Sequence, residues 1–277
     1  MKSSILADFS KLCIHSITTK PWPIEEAIIN YSRQDIKCIT VWRQALEERS
    51  PRQIGKTIRE NGLEIVSLCR GGFFPSSEET KRAAAIDDNY RAIDEASELG
   101  APLLVLVCGA DPNQSLAISR NQIQDGIETI LHRAEDHNIK LAVEPLHPMY
   151  ADDRSAINTL GQANDLCQII NSPFLGVAID VYHVWWDPNL AQEIERCGEM
   201  KKIFAFHISD WKTPTTHLLF DRGLMGEGCI PIREIREWIE EAGFEGFNEV
   251  EIFSNIYWNM DQAKFLEQIK IAYLKHA

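Results

Sequence analysis

Four residues in the second half of this chain could bind a divalent metal ion: Glu144, Asp180, His207 and Glu251. Each lies at or near the end of a short apolar run that is typical of a buried β-strand. Three carboxylates and one imidazole form a mostly hard ligand set, which suits Mn²⁺, Mg²⁺, Fe²⁺ or Co²⁺ in six-coordinate geometry and also allows Zn²⁺. Such a site would leave two coordination positions open for adjacent oxygens of a substrate.

Each of these residues also has an ordinary structural interpretation. A carboxylate at a strand end often caps a helix or pairs with an arginine, and a histidine between Phe206 and Ile208 could be a core residue. Three buried carboxylates placed together without a cation would repel one another and lose their hydration. The metal-site interpretation therefore depends on whether the fold brings the four side chains together.

Short β-rich segments alternate with segments of helical periodicity along the chain. In the helical segments apolar residues recur every three or four positions, as in Ile232, Ile235 and Ile239, which predicts a face that packs on a sheet. The predicted strands lie at residues 12–16, 37–42, 63–69, 103–108, 139–144, 175–180, 203–208 and 248–253.

This repeated βα pattern predicts a single-domain (β/α)₈ TIM barrel over residues 1–277. Gly62, Gly100 and Gly243 each fall between a helical segment and the next strand, where a left-handed residue commonly ends a helix. Active sites of this fold form at the carboxyl ends of the strands. We therefore expect the four candidate ligands, which follow strands five to eight, to meet at one end of the barrel.

Five segments resemble the xylose isomerase-like TIM barrel superfamily of sugar isomerases and epimerases, which includes inosose isomerases. The resemblance implies that the four candidate residues are the metal ligands, and Mn²⁺ is the ion we expect first. The segments are Glu144-Pro145-Leu146-His147-Pro148, Asp180-Val181-Tyr182-His183, His207-Ile208-Ser209-Asp210, the Arg222 to Gly226-Glu227-Gly228 loop, and Glu249-Val250-Glu251.

The same resemblance implies substrate-binding roles for His183 and Arg222. His183 corresponds to a position that often contacts a substrate oxygen, and Arg222 to one that often holds a substrate hydroxyl or carboxylate. A hydrogen bond behind the metal ligands and a salt bridge within the loop are the respective structural alternatives. The long loop that contains Arg222 is of a length typical of an active-site lid.

Further candidates follow from their positions after predicted strands. His147 lies between two prolines just after Glu144 and could act as a base or orient the substrate. His15 and Glu47 could also face the pocket. Tryptophan rings can stack on the apolar face of a sugar, and we expect at least one of four to do so: Trp42, Trp185, Trp186 and Trp211.

These residues indicate proton-transfer chemistry. A metal that chelates a carbonyl and its neighbouring hydroxyl acidifies the adjacent C–H bond by stabilising an enediolate. The resemblance implies that Glu144 and Glu251 remove and return the proton, which predicts an isomerase or epimerase of a small sugar, keto-sugar or inosose. The alternatives are a dehydratase or lyase acting on a keto-sugar or keto-glycoside, helped by His147, and a non-catalytic binding protein.

Composition restricts the partners and the compartment. The formal charge of −13 would repel phosphate backbones, which argues against nucleic acid and against an endonuclease IV-like activity. No clear basic phosphate pocket is evident, which disfavours phosphorylated substrates, although a loop arginine or a helix N-terminus could suffice. The longest apolar stretch is too short for a membrane span.

The seven cysteines are scattered without a C-x-x-C pair, and the chain carries no signal-peptide pattern. We therefore expect a reducing, cytoplasmic location, and a homo-oligomer is compatible with this kind of barrel. A set of cysteines in or beside the first four strands is expected to be small buried apolar side chains rather than ligands or nucleophiles: Cys13, Cys38, Cys69 and Cys108.

Overall fold

The computed structural model describes residues 6–277 and contains a closed barrel of parallel strands. Each barrel strand pairs with the barrel strands that precede and follow it in the chain, and β10 closes the barrel by pairing with β1. The predicted (β/α)₈ fold is confirmed. The barrel strands are β1 (Leu12–His15), β2 (Cys38–Trp42), β3 (Glu64–Gly72), β4 (Leu103–Val107), β5 (Lys140–Val143), β6 (Leu175–Asp180), β7 (Ile203–Ile208) and β10 (Asn248–Val250).

Helices cover the outside of the barrel. Each presents an apolar face to the strands, as α8 does with Ile232, Ile235 and Ile239, all of which are buried. Within residues 6–277, none of the helices combines the length and apolar character that crossing a membrane requires. The α-helices are α1 (Ile24–Arg33), α2 (Pro51–Glu60), α3 (Glu79–Leu99), α4 (Leu116–Asp136), α5 (Leu160–Ile170), α6 (Val181–Val184), α7 (Leu190–Glu199), α8 (Ile232–Glu241) and α9 (Gln262–His276).

Small side chains inside the barrel leave room for polar groups at its carboxyl end. Ala142, Ala178 and Ala205 belong to the interior cluster and lie on β5, β6 and β7. Each is two positions before the candidate ligand of its strand, and side chains two positions apart share a face. The sequence thus points the candidate ligands into the barrel. The cysteines of the first four strands are buried, as expected.

The eighth barrel strand ends earlier than the sequence pattern predicts. β10 ends at Val250, whereas the apolar pattern continues to residue 253. The N–H of Glu251 still donates to the Ile208 carbonyl of β7 at 3.1 Å, but the carbonyl of Phe253 accepts from the N–H of Arg222 at 3.0 Å, so at Phe253 the chain bonds to the loop after β7. A short hairpin in that loop, β8 (Asp210–Trp211) with β9 (Arg222–Gly223), was also not predicted, and together these bonds position Arg222 over the barrel end.

The third strand runs to Gly72, beyond its predicted end at residue 69. Asn89 of α3 holds this extension, since its side-chain oxygen accepts from the N–H of Gly72 at 2.7 Å and its side-chain nitrogen donates to the carbonyl of Gly72 at 2.8 Å. Gly72 also lies directly against the backbone of Val107 in β4. A side chain at this position would separate the two strands.

Replacing Gly72 by alanine should lower the free energy of unfolding by more than about 3 kcal/mol. Its φ is 109°, and an added Cβ would lie 1.9 Å from the Val107 carbonyl oxygen. Gly62→Ala is the matched control: its φ is 78°, but no described atom lies within 4 Å of the added Cβ, so it should cost only about 1 kcal/mol. If urea denaturation showed equal losses of unfolding free energy in Gly72→Ala and Gly62→Ala, the close contact between Gly72 and Val107 would be contradicted.

Candidate metal centre

The four candidate ligands converge at the carboxyl end of the barrel. Ligand atoms of Glu144, Asp180, His207 and Glu251 all lie within 4.8 Å of one another. All four side chains are buried, and the most exposed, that of Glu144, is only 5% accessible. Glu144 directly follows β5, Asp180 ends β6, His207 lies in β7 and Glu251 directly follows β10. The closed barrel therefore brings together residues that are up to 107 positions apart in the chain (251 − 144).

A buried histidine extends this cluster toward β1. His15 Nδ1 lies 3.0 Å from Glu251 Oε1, and His15 Nε2 lies 3.1 Å from Glu249 Oε2. Burial lowers the pKa of His15, but the two adjacent carboxylates outweigh that effect and raise it well above its usual value. His15, His207 and Glu251 form an overlapping group whose ligand atoms also lie within 4.8 Å of one another.

Arg222 brings a buried positive charge to the same cluster. Its Nη1 donates to Asp180 Oδ2 at 2.7 Å and to Glu251 Oε2 at 2.9 Å. Its Nη2 lies 3.0 Å from His183 Nε2, and its guanidinium stacks over the Tyr182 ring at 4.4 Å. Because a guanidinium only donates, His183 Nε2 must be the acceptor. Arg222 therefore binds two of the candidate ligands and fixes the tautomer of His183.

The surroundings shift the pKa values of the buried groups in different directions. Burial raises the pKa of Asp180 to about 7, although Arg222 opposes this. Burial would also raise the pKa of Glu251, but Arg222 and His15 outweigh it and hold the pKa well below its usual range. Burial and Arg222 both lower the pKa of His183 well below its usual value. At neutral pH Glu251 is ionised and His183 is neutral.

The residues present fit a divalent cation. His207 Nδ1 lies 3.0 Å from Glu144 Oε1, so the imidazole presents this nitrogen to the carboxylate cluster, while its Nε2 lies 3.9 Å from Glu249 Oε2. Burial also disfavours the charged form of Asp180, and a neighbouring cation would favour it. An additional positive charge would thus stabilise this donor set, which matches the oxygen and imidazole ligands of hard divalent ions.

A cavity of about 220 Å³ lies beside the cluster. Glu144 and Glu251 both line it, as do His183 and Arg222. His183 Nδ1, which carries the proton when Nε2 accepts, is buried and has no partner among the described residues. A ligand in this cavity could therefore contact both carboxylates and accept a hydrogen bond from His183.

Aromatic side chains form one wall of the cavity. Trp42 is 5.2 Å from Phe253 and Phe253 is 6.0 Å from Trp258, measured between ring centroids, and all three line the cavity. Such a wall can pack on the apolar face of a sugar or polyol ring. Trp42 was among the tryptophans predicted to line the pocket.

The structure does not bring every sequence candidate to the cavity. The His147 ring lies 5.6 Å from that of Trp186 and 5.1 Å from that of Trp211, and its Nδ1 accepts from the N–H of Met149. None of the three aromatic rings of this group, His147, Trp186 and Trp211, is among the residues that line the cavity. Glu47 is exposed and lines a separate surface depression.

The glycine-rich part of the loop after β7 is fixed rather than poised over the cavity. Asp210 accepts hydrogen bonds from the N–H groups of Gly226, Gly228 and Ile230 at 2.9 to 3.0 Å. The earlier part of the loop reaches the cavity instead, through Leu219 and Phe220. Only that part of the connection covers the site.

The sequence analysis did not identify several residues of the site. Glu249 shares a face of its strand with Glu251, so the strand periodicity could have found it. Lys20, Arg70 and Arg154 line the cavity and lie in or after β1, β3 and β5. Inspection of polar residues near the ends of the early strands could have found Arg70. No basic phosphate pocket was evident from the sequence, which did not predict that these three cations line one cavity with Arg222.

Comparison with known proteins places the chain in a family. Residues 31–270 match the family model described as xylose isomerase-like TIM barrel. The chain belongs to this family. An inosose isomerase of Halalkalibacterium halodurans is 20% identical over 247 residues, covering 87% of this chain and 84% of that protein.

Two solved structures of this xylose isomerase-like fold extend the comparison. The crystal structure of protein SMc04130 from Sinorhizobium meliloti 1021 has a TM-score of 0.93 and 44% identity, and covers 96% of this chain and 98% of its own. The IolI protein, solved with a bound zinc atom, has a TM-score of 0.82 and 20% identity, and covers 95% of this chain and 96% of its own. At the lower identity the likeness concerns the fold alone.

Replacing Arg222 by methionine should lower the free energy of unfolding of chelator-treated protein by about 3–5 kcal/mol, because two buried carboxylates lose their cation. The matched control Arg196→Met removes partly exposed ion pairs with Asp165 and Glu193 and should cost less than about 1 kcal/mol. Urea denaturation measures both. A loss for Arg222→Met no larger than the control would show that Arg222 does not stabilise the cluster.

Proposed function

We propose that this protein is a divalent-metal-dependent isomerase or epimerase of a small keto-sugar or inosose. The observation that carries the proposal is that Glu144 and Glu251, two of four clustered candidate ligands, also line a cavity with an aromatic wall. The inosose isomerase relative supports the substrate class, because an inosose is a cyclic polyol ketone. The family is consistent with this assignment.

The proposed metal site consists of Glu144, Asp180, His207 and Glu251, and Mn²⁺ is the ion we propose first. The zinc atom in the IolI structure supports a divalent ion in this fold without deciding which ion this chain prefers. When bound, the ion would supply electrostatic stabilisation of the negative charge that develops on the substrate oxygens. Proton transfer and substrate binding are assigned to side chains of this protein.

Glu251 is the proposed base. Its carboxylate is ionised because Arg222 and His15 hold its pKa well below the usual range, and it lines the cavity. Glu144 lines the same cavity and would return the proton, either to the neighbouring carbon or to the other face of the same carbon. The first outcome is an isomerisation and the second an epimerisation.

The remaining cavity residues would hold the substrate. Neutral His183 can donate from Nδ1 to a substrate oxygen, since its Nε2 is committed to Arg222. Trp42, Phe253 and Trp258 would pack against the carbon skeleton and exclude water from the reacting carbons.

Proton return is favoured over elimination by the position of His147. A dehydratase or lyase needs a group that protonates the departing oxygen, and His147 is the residue the sequence offers for that step. Its ring contacts those of Trp186 and Trp211, and His147 is not among the residues that line the cavity. An isomerase or epimerase needs no such group, and the two carboxylates proposed to move its proton do line the cavity.

Glu251→Gln and Glu144→Gln should each reduce proton exchange at the reacting carbon by about 100-fold or more, because each keeps the side-chain volume and removes a base. Inososes, ketoses and keto-glycosides incubated with Mn²⁺-supplemented protein in D₂O would be followed by NMR for deuterium incorporation. Release of water or an aglycone would instead identify the elimination reaction.

Glu64→Gln is the matched control, since Glu64 is an exposed carboxylate at the start of β3, at the opposite end of the barrel. It should leave exchange unchanged. Wild-type protein that exchanges no proton of any of these compounds would contradict the proposed function. Exchange that survives in Glu251→Gln would remove Glu251 from the role of base.

A further inference from the structure

Three cationic side chains lie around the cavity but take no part in the chemistry proposed above. Lys20 follows β1, Arg70 lies in β3 and Arg154 lies in the segment after β5, and all three line the cavity that Glu144 and Glu251 also line. Arg222, the fourth cation of the lining, is already committed to Asp180 and Glu251. The other three thus place positive charge close to, but separate from, the carboxylate cluster.

No carboxylate neutralises these three cations. Within residues 6–277, none of them has a carboxylate oxygen within the 4.0 Å of an ion pair. Each contacts an aromatic ring instead. Lys20 Nζ lies 4.8 Å from the ring centroid of Trp258. The guanidinium carbon of Arg70 lies 4.3 Å from the ring centroid of Phe73, and that of Arg154 lies 5.6 Å from the ring centroid of Tyr150. An aromatic face orients a cation but leaves its charge available to a ligand.

Many arginines elsewhere on this acidic protein form ion pairs, whereas others, such as Arg59 and Arg120, donate to backbone carbonyls. The feature that distinguishes Lys20, Arg70 and Arg154 is that three cations without an ion pair among the described residues line one cavity. The arginines that form ion pairs within 4.0 Å include Arg43 with Asp88 and Glu95, Arg49 with Glu25, Arg133 with Asp94, and Arg196 with Asp165.

Arg70 and Arg154 bring two positive charges to the same cavity. Burial lowers the pKa of Arg70, and the positive charge of Arg154 lowers it further. Two partly buried like charges with no counter-ion are unfavourable by themselves. An anionic ligand between them would remove that repulsion and would gain charge-assisted hydrogen bonds.

We infer that Lys20, Arg70 and Arg154 form an anion-binding subsite, and that the substrate is a keto-sugar carrying a phosphate ester or a carboxylate. The anionic end would bind these three side chains while the carbonyl end reaches Glu144 and Glu251. A planar guanidinium matches the oxygens of either group, so the shared chemistry is an oxyanion. The placement of the substrate carbonyl at Glu144 and Glu251 rests on the proposed function, whereas the placement of the anionic group does not.

Three ketoses that differ only at C6 test the inference by equilibrium binding: D-fructose, D-fructose 6-phosphate and D-fructuronate. Calorimetric titration of wild-type protein with Mn²⁺ should show that at least one anionic ketose binds roughly tenfold or more tightly than fructose. Tighter binding of the phosphate identifies a phosphoryl subsite, and tighter binding of fructuronate identifies a carboxylate subsite. Binding of all three with equal affinity would overturn the inference.

Variants locate the subsite. Arg70→Met, Arg154→Met and Lys20→Met should each weaken binding of the preferred anion, by roughly tenfold for the arginines, while changing fructose binding by less than about threefold. Arg91→Met is the matched control, because Arg91 is exposed on α3 and pairs with Asp88; it should change neither. Equal weakening of fructose and the anion in all three variants would overturn the assignment.

The two proposals fail in different ways. Proton exchange with neutral ketoses and no preference for the anionic ones would leave the proposed function intact and overturn the anion subsite. Tight, Arg154-dependent binding of an anionic ketose without exchange of any of its C–H protons would support the subsite and contradict the isomerase or epimerase activity. Lys20 is exposed, so Lys20→Met also tests the subsite without disturbing the core.

Discussion

The structure depends on how one small, buried space accommodates three carboxylates. Glu144, Asp180 and Glu251 cannot all be ionised there without compensating positive charge, because burial and mutual repulsion both disfavour the anions. Arg222 supplies part of that charge, through bonds of 2.7 and 2.9 Å to Asp180 and Glu251. The remaining imbalance is the physical reason to expect a cation at the centre.

Other features of the barrel hold these charged side chains in place. Alanines one pleat below the ligands provide the space, and a buried polar network of His15, Thr40 and Glu249 lies in the barrel as well. Beyond the end of the eighth strand, the carbonyl of Phe253 accepts from Arg222 in the loop after β7, and this bond helps to hold Arg222 at the cavity. The bonds from Arg222 to Asp180 and Glu251 therefore both stabilise this end of the barrel and balance the charge of the site.

Much of the fold and of the central cluster could be predicted from sequence because both obey local periodicity. Strands five to seven end within one residue of their predicted ends, and a ligand at the end of each strand must face its neighbours once the barrel closes. What depends on long-range contacts could not be predicted. Nothing local to His147 indicates that its ring contacts those of Trp186 and Trp211, and nothing local to Arg154 indicates that it lines the same cavity as Arg70.

The most direct test of the account is the metal content of the purified protein after reconstitution with Mn²⁺ and removal of excess ion, measured by elemental analysis. We predict about one equivalent in the wild-type protein and in Glu64→Gln, and almost none in Glu144→Gln or His207→Ala. Protein that binds no divalent ion on reconstitution, or that keeps its metal in both ligand variants, would contradict the central claim.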